Sequence, residues 1–267
     1  MLRNVFLKTL RDQRRALLWW GIGLLAIALF TGLLYPSIRQ MAPEYDKLLK
    51  TMPEALIKPF VGEFSDFASP EGYLNSSLFF LMLPLLFLVF AIGFGSNAIA
   101  GEEERGTMDL LLSNPLPRWR VVAEKFAALV VSTILLAFAF WLGLAICALA
   151  VELGVSLGRM AEATMSGALL GLAFGALALA VGCACGDRGL SLGVASAVAV
   201  AAYFLNSLAP VVEVLERYRR LSPLYYYIGA DPLKNGLYLG HAAVLIGLTG
   251  LLLVVALLAF ERRDLAV

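Results

Sequence analysis

Apolar residues in this chain fall into six long runs, and the charged residues are confined to the gaps between them. The runs cover 16–35, 78–100, 127–151, 167–185, 190–212 and 237–260, and none contains Asp, Glu, Lys or Arg. A helix needs about 20 apolar residues to cross a hydrocarbon core of about 30 Å. Each run meets or approaches that length. The pattern predicts an all-α, polytopic integral membrane protein: six transmembrane helices forming a single domain over 1–267. The fourth and fifth runs are separated only by Gly186, Asp187, Arg188 and Gly189, which predicts a tight polar hairpin. The first run is longer than the roughly 7–15 residues of a signal-peptide core and is read as a retained span.

Two amphipathic stretches flank the first run. Residues 2–15 place Leu2, Phe6 and Leu10 on one stripe among Arg3, Lys8, Arg11, Arg14 and Arg15. This predicts a helix lying in the membrane interface with its basic face toward anionic headgroups. From Ile38 onward, Met41, Tyr45, Leu48, Met52 and Leu56 recur at three- and four-residue steps, predicting a second amphipathic helix on the outer surface. In the fourth run Gly167, Gly171, Gly175, Ala178 and Gly182 share one face. Small residues on one face let helices approach closely in lipid. That face would serve packing within one subunit or a seam between two.

Composition supports lipid as the solvent. The chain is 60% hydrophobic and 15% charged, with a mean hydropathy of +0.82, whereas soluble domains carry roughly a quarter charged residues. A net charge of +1 supplies no concentrated basic face for nucleic acid. An even number of spans puts both termini on one side. If that side is the cytoplasm, twelve Lys or Arg fall within 52 inside residues, against nine within 81 outside. The positive-inside rule therefore predicts cytoplasmic termini in a cell (plasma) membrane, expected to be a prokaryotic inner membrane.

Candidate chemistry is sparse. Cys147, Cys183 and Cys185 lie in apolar runs and are read as small hydrophobes, with no metal site predicted. His241 is the one histidine, near the outer start of the sixth run, and cannot supply an H-E-x-x-H pair. No catalytic residue is predicted. The sequence contains no G-x-x-x-x-G-K-[ST] loop to cradle nucleotide phosphates, so the chain is expected not to be an ATPase itself. Ion-coupled carriers place ionisable residues inside their spans. Apart from His241, read as interfacial, the six runs hold none, which weighs against a secondary carrier, and a structural membrane module remains a further alternative.

The connection between the second and third runs is the most informative stretch. Glu102, Glu103, Glu104 and Arg105 lead through Gly106 and Thr107 into an apolar cluster, Leu110, Leu111 and Leu112. Ser113 and Asn114 follow, and Pro115 and Pro117 suit the opening turn of the next helix. Arg118, Arg120 and Lys125 then line the foot of the third span. A short helix with an exposed leucine patch could plug into a groove on a cytosolic partner. The same leucines could instead dip into the headgroups of an ordinary interfacial loop.

Glu102, Glu104, Gly106 and Thr107 followed by Leu110, Leu111, Leu112, Ser113, Pro115 and Arg118 resemble the first cytoplasmic loop of ABC-type exporter permeases of the type-2 class. Leu221-Ser222-Pro223-Leu224-Tyr225-Tyr226, with Gly229-Ala230-Asp231-Pro232-Leu233 and Asn235-Gly236, is similar to the text before the last span in that family. The resemblance extends over essentially the whole chain. It implies a permease that pairs with a second permease, expected as a homodimer, and docks two copies of a cytosolic ATP-binding subunit. ATP and Mg would belong to that partner, and this chain would carry no cofactor. The segment from Glu102 to Arg118, Glu103 included, would be the coupling helix, and the amphipathic start the connecting helix.

The resemblance further implies a substrate path at the dimer interface between the second and fifth spans. Phe79, Phe80, Met82, Phe87, Phe90, Asn97, Ser196, Tyr203 and Asn206 are the residues predicted to line it. Such a wall is mainly apolar with sparse polar groups, which suits a lipophilic or amphiphilic cargo such as a drug, lipid or peptide. Helix packing and lipid contact are the other roles open to each aromatic.

Overall fold

A computed structural model describes residues 4–51, 69–108, 117–151, 153–210, 212–229 and 231–263. These residues are helical with no strand among them, and six helices are long and apolar enough to cross a membrane. The first is α1 (Val5–Thr51). The second span opens with α2 (Pro70–Leu74), passes through a π-helical turn at Asn75–Phe79, and continues as α3 (Met82–Ala98). A short helix α4 (Ala100–Glu104) continues it past Ile99. The third, fourth and fifth spans are α5 (Arg118–Val151), α6 (Leu157–Cys185) and α7 (Arg188–Leu208). Then come α8 (Glu213–Glu216), a 3-10 turn at Arg219–Leu221, α9 (Pro223–Ile228) and α10 (Pro232–Asn235). The last span is α11 (Leu239–Arg262).

The helix ends explain where the apolar runs misplace the spans. The second span begins at Pro70 rather than residue 78, because Ser69 caps it by accepting the Gly72 amide and proline suits its first turn. The fourth begins at Leu157 rather than 167, capped by Ser156. The third begins at Arg118 rather than 127, because helix geometry continues below the hydrocarbon edge where charges are tolerated. The fifth ends at Leu208 rather than 212, since Pro210 lacks the amide that would extend it. The expected hairpin between the fourth and fifth is present: Gly186 takes a left-handed φ of 72°, and the Asp187 side chain accepts the Leu190 amide at 2.7 Å.

The amphipathic stretches at either end of the first run are not separate helices within the described residues. Both are turns of α1, whose 47 residues span about 70 Å at 1.5 Å per residue, well beyond the bilayer. Amphipathic periodicity is the same whether a helix lies in the interface or continues a span, so the pattern left that distinction open. Leu2 and Arg3 of the inner stretch, and the part of the outer stretch beyond Thr51, lie outside the described residues.

Burial sorts the spans. α6 is the hub, touching α3, α5, α7 and α11, while α1 leans mainly on α5. The glycine stripe of α6 is spent inside the chain, against α3. A Cβ on Gly95 would fall 2.2 Å from the Gly175 carbonyl oxygen, and one on Gly175 would fall 3.0 Å from the Ala91 carbonyl oxygen. Only hydrogen fits at Gly95, and Gly175 is tightly approached. By contrast α1 and α11 present most of their apolar surface outward, as lipid-facing helices do.

Candidate functional site

The acidic run Glu102–Glu104 turns inward, and each of its three carboxylates reaches a different helix. Glu102 is buried, and its carboxylate accepts from Lys125 Nζ of α5 at 2.7 Å. Lys8 of α1 lies 3.8 Å from the same carboxylate, and the Thr107 hydroxyl donates to it at 3.1 Å. Lys125 is itself 2% exposed, so this is a desolvated pair with a second cation at its edge. Burial pushes the Glu102 carboxyl up, but the Lys125 charge and hydrogen bond, with Lys8 and Thr107, outweigh it and hold the group below the usual carboxylate range.

Glu103 pairs with Arg263 at the end of α11. Arg263 also donates to the carbonyls of Gly182 and Cys183, the last turn of α6, at 3.3 and 2.8 Å. Glu104 accepts the Arg188 amide at the start of α7, at 3.1 Å, a favourable place for a carboxylate at a helix N-terminus. The far side of the loop is tied to the same place: Arg118 donates to the Arg263 carbonyl at 2.8 Å. Phe6 of α1 donates its amide to Glu124 of α5 at 3.1 Å, closing the ring. One turn of helix below the second span therefore touches every other span.

Among the loop residues singled out from the sequence, Glu102, Glu103, Glu104, Thr107 and Arg118 are brought together in this clasp. Gly106 adopts φ 65°, the left-handed turn that ends α4. Leu110, Leu111, Leu112 and Pro115 lie outside the described residues. The basic partners Lys8, Lys125, Arg188 and Arg263 were not paired with the acids by sequence reasoning. Lys125 gave a signal, being a lysine two turns inside a long helix.

The other sequence motif forms a second cluster at the opposite end of the bundle. Ser222 caps α9 and donates its hydroxyl to the Ala202 carbonyl of α7 at 2.8 Å. The buried Tyr227 hydroxyl donates to the Phe79 carbonyl at 2.5 Å, in the π-helical turn of the second span. Ser166 of α6 donates to the Tyr227 carbonyl at 3.0 Å. Asn75, from that same π-helical turn, donates to Asp231 at 2.8 Å. Asp231 is held at a left-handed φ of 47°. A π-helical turn leaves carbonyls misaligned for their usual partners, and Tyr227 supplies one of them with a donor.

Between α3 and α7 the surface opens into a groove of about 490 Å3 lined almost wholly by apolar side chains, Leu85, Leu88, Ile92, Val200 and Phe204 among them. Of the residues predicted to line a path, Ser196 and Tyr203 border this groove. Phe90 and Asn97 instead border a polar cavity at the clasp end, where Asn97 accepts from Arg105 at 2.9 Å. Phe79 and Phe87 are buried in the core, the first edge-on to Phe140 with ring centroids 6.0 Å apart. Phe80 and Asn206 are buried, and Met82 is exposed. His241 sits among the rings of Tyr225, Tyr226 and Tyr238. Among the described residues no cluster of side chains could hold a metal ion.

Comparison with known proteins agrees with the architecture. A probable ABC transporter permease protein, NosY, of Pseudomonas aeruginosa is 34% identical to this chain over 125 residues, covering 44% of this chain and 43% of that protein. Its counterpart in Stutzerimonas stutzeri is 35% identical over 130 residues, covering 45% of each chain. The match thus spans less than half the length of these relatives. The profile of the ABC-2 family transporter proteins matches residues 3–265, and this chain belongs to that family.

Proposed function

We propose that this chain is the permease subunit of an ATP-driven exporter, moving a lipophilic or amphiphilic substrate out of the cytoplasm. In this reading two copies of the chain pair in a prokaryotic inner membrane with both termini cytoplasmic. Two copies of a separate ATP-binding subunit bind below and hold the ATP and Mg. The observation that carries the reading is the acidic clasp: a push on the segment between α4 and α5 is received by Glu102, Glu103 and Glu104, which grip four other helices, α1, α5, α7 and the end of α11. The family and the names of its relatives supply the ATP-binding partner. The apolar groove between α3 and α7 supplies a wall suited to a greasy cargo.

In this mechanism the leucines of the loop seat in the partner, and nucleotide-driven closure moves them. Because α4 continues α3 with only Ile99 between, the motion passes into the second span as tilt. Lys125 and Arg263 carry the same motion to the third and sixth. The test is co-purification from detergent with a co-expressed cytosolic ATPase, comparing wild type with Leu111→Glu. A complex whose ATPase activity depends on Leu111 supports the reading. Failure of the wild type to hold any ATPase sinks it.

A further inference from the structure

Between the first and second spans the clasp end opens into a polar cavity of about 600 Å3. Its walls include Asp12 and Gln13 of α1, Asn97 of α3, Arg105 and Arg188, over a floor of Trp20 and Phe94. Trp20 also borders a narrower cavity of about 240 Å3, whose other walls are Trp19, Gly23, Leu24, Ile27 and Leu86. A charged chamber and an apolar slot therefore meet at one side chain, along the seam of two membrane helices. We propose that this seam binds one phospholipid with an anionic headgroup. Its phosphate sits at Arg105 and Arg188, and its acyl chains lie over Trp20, Leu24 and Leu86.

Charge, shape and length each favour that occupant. The Glu102 carboxylate already faces two cations, Lys125 and Lys8. Arg105 and Arg188 add two more against the single Asp12, and among the described residues neither arginine has an ion-pair partner. The guanidinium fork matches phosphate oxygens in pairs. Asp12 to Ile27 is about 22 Å of helix at 1.5 Å per residue. That is half of a bilayer about 40–45 Å thick, the depth of one leaflet from headgroup to midplane. A free anion would have no use for the apolar slot, and an uncharged hydrocarbon none for the arginines. The site needs no ATP and stands independently of the transport reading.

Native mass spectrometry of the full chain in detergent, titrated with phosphatidylglycerol or phosphatidylcholine of the same acyl chains, tests this. One phosphatidylglycerol should be retained at least tenfold over phosphatidylcholine. The double variant Arg105→Gln/Arg188→Gln should lose that preference. Arg14→Gln/Arg15→Gln, which removes two exposed arginines of α1 outside the cavity, should keep it. A side chain added at Gly23 meets open space, so Gly23→Phe should fill the slot and cut retention of both lipids several-fold. Glycerol phosphate, which has no chains, should not displace the bound lipid. Equal retention of the two lipids by the wild type would overturn the proposal, as would a preference that survives loss of Arg105 and Arg188. Displacement by glycerol phosphate alone would also overturn it, by removing any part for the slot.

Discussion

The two ends of this bundle are fastened by different chemistry. At the clasp end, Glu102, Glu103 and Glu104 hold Lys125, Arg263 and the start of α7 through charged groups, one pair of them buried. At the other end, Tyr227, Ser222, Ser166 and Asn75 hold α9 and α10 to the second, fourth and fifth spans, mostly through neutral donors and backbone carbonyls. Charged pairs resist being pulled apart but are costly to bury, while single neutral bonds are each worth only about 0.5–1.5 kcal/mol. An end that receives force profits from the first kind. An end that must part to let something through profits from the second.

The sharpest break of this contrast is Lys125→Met. It leaves Glu102 buried without its near partner, and the expected loss is about 3–5 kcal/mol of stability, read by thermal unfolding in detergent. Adding Glu102→Gln should recover most of that loss, because no uncompensated charge then remains. At the other end, Tyr227→Phe removes one hydroxyl and leaves the Phe79 carbonyl without it, for an expected loss of about 1–3 kcal/mol. A larger loss for Tyr227→Phe than for Lys125→Met would reverse the comparison.

Acid should separate the two ends by titration. The Glu102 carboxyl is held below its ordinary value when folded, so its contribution is complete above the unfolded pKa of about 4.3. It is lost as pH falls through the lower folded value. Hydrogen exchange between pH 6 and 3 should show residues 99–108 loosening before residues 223–228. Simultaneous loosening would mean the clasp draws little on that carboxylate. The smallest effect belongs to Glu104→Gln. Its carboxylate is exposed at a helix N-terminus, and unfolding should shift by under about 1 kcal/mol.

How far the sequence foretold this molecule follows from the kind of signal each feature leaves. Six spans were legible because a hydrocarbon core demands an apolar run of fixed minimum length. Their ends were not, since helices continue into the interface wherever a cap permits, as Ser69 and Ser156 do. The acidic turn was legible as a motif, but its direction was not. Three glutamates in a row were placed in a segment that meets a partner, and only folding brings Lys125, Arg263 and the α7 amide to them. The α9 and α10 segment was visible as text around Leu221–Gly236. Its anchoring to Asn75 and Phe79, about 150 residues earlier, left no periodic trace.

The acids of the loop grip this chain's own helices, and the proposed mechanism leaves the docking to its leucines. Co-purification of the double variant Glu102→Gln/Lys125→Met with a co-expressed ATP-binding subunit, beside Leu111→Glu, separates the two roles. The double variant should hold the ATPase as well as wild type does, while its ATPase activity no longer responds to the permease, and Leu111→Glu should fail to hold it. Loss of binding in the double variant would contradict the account, because the acids would then be facing the partner.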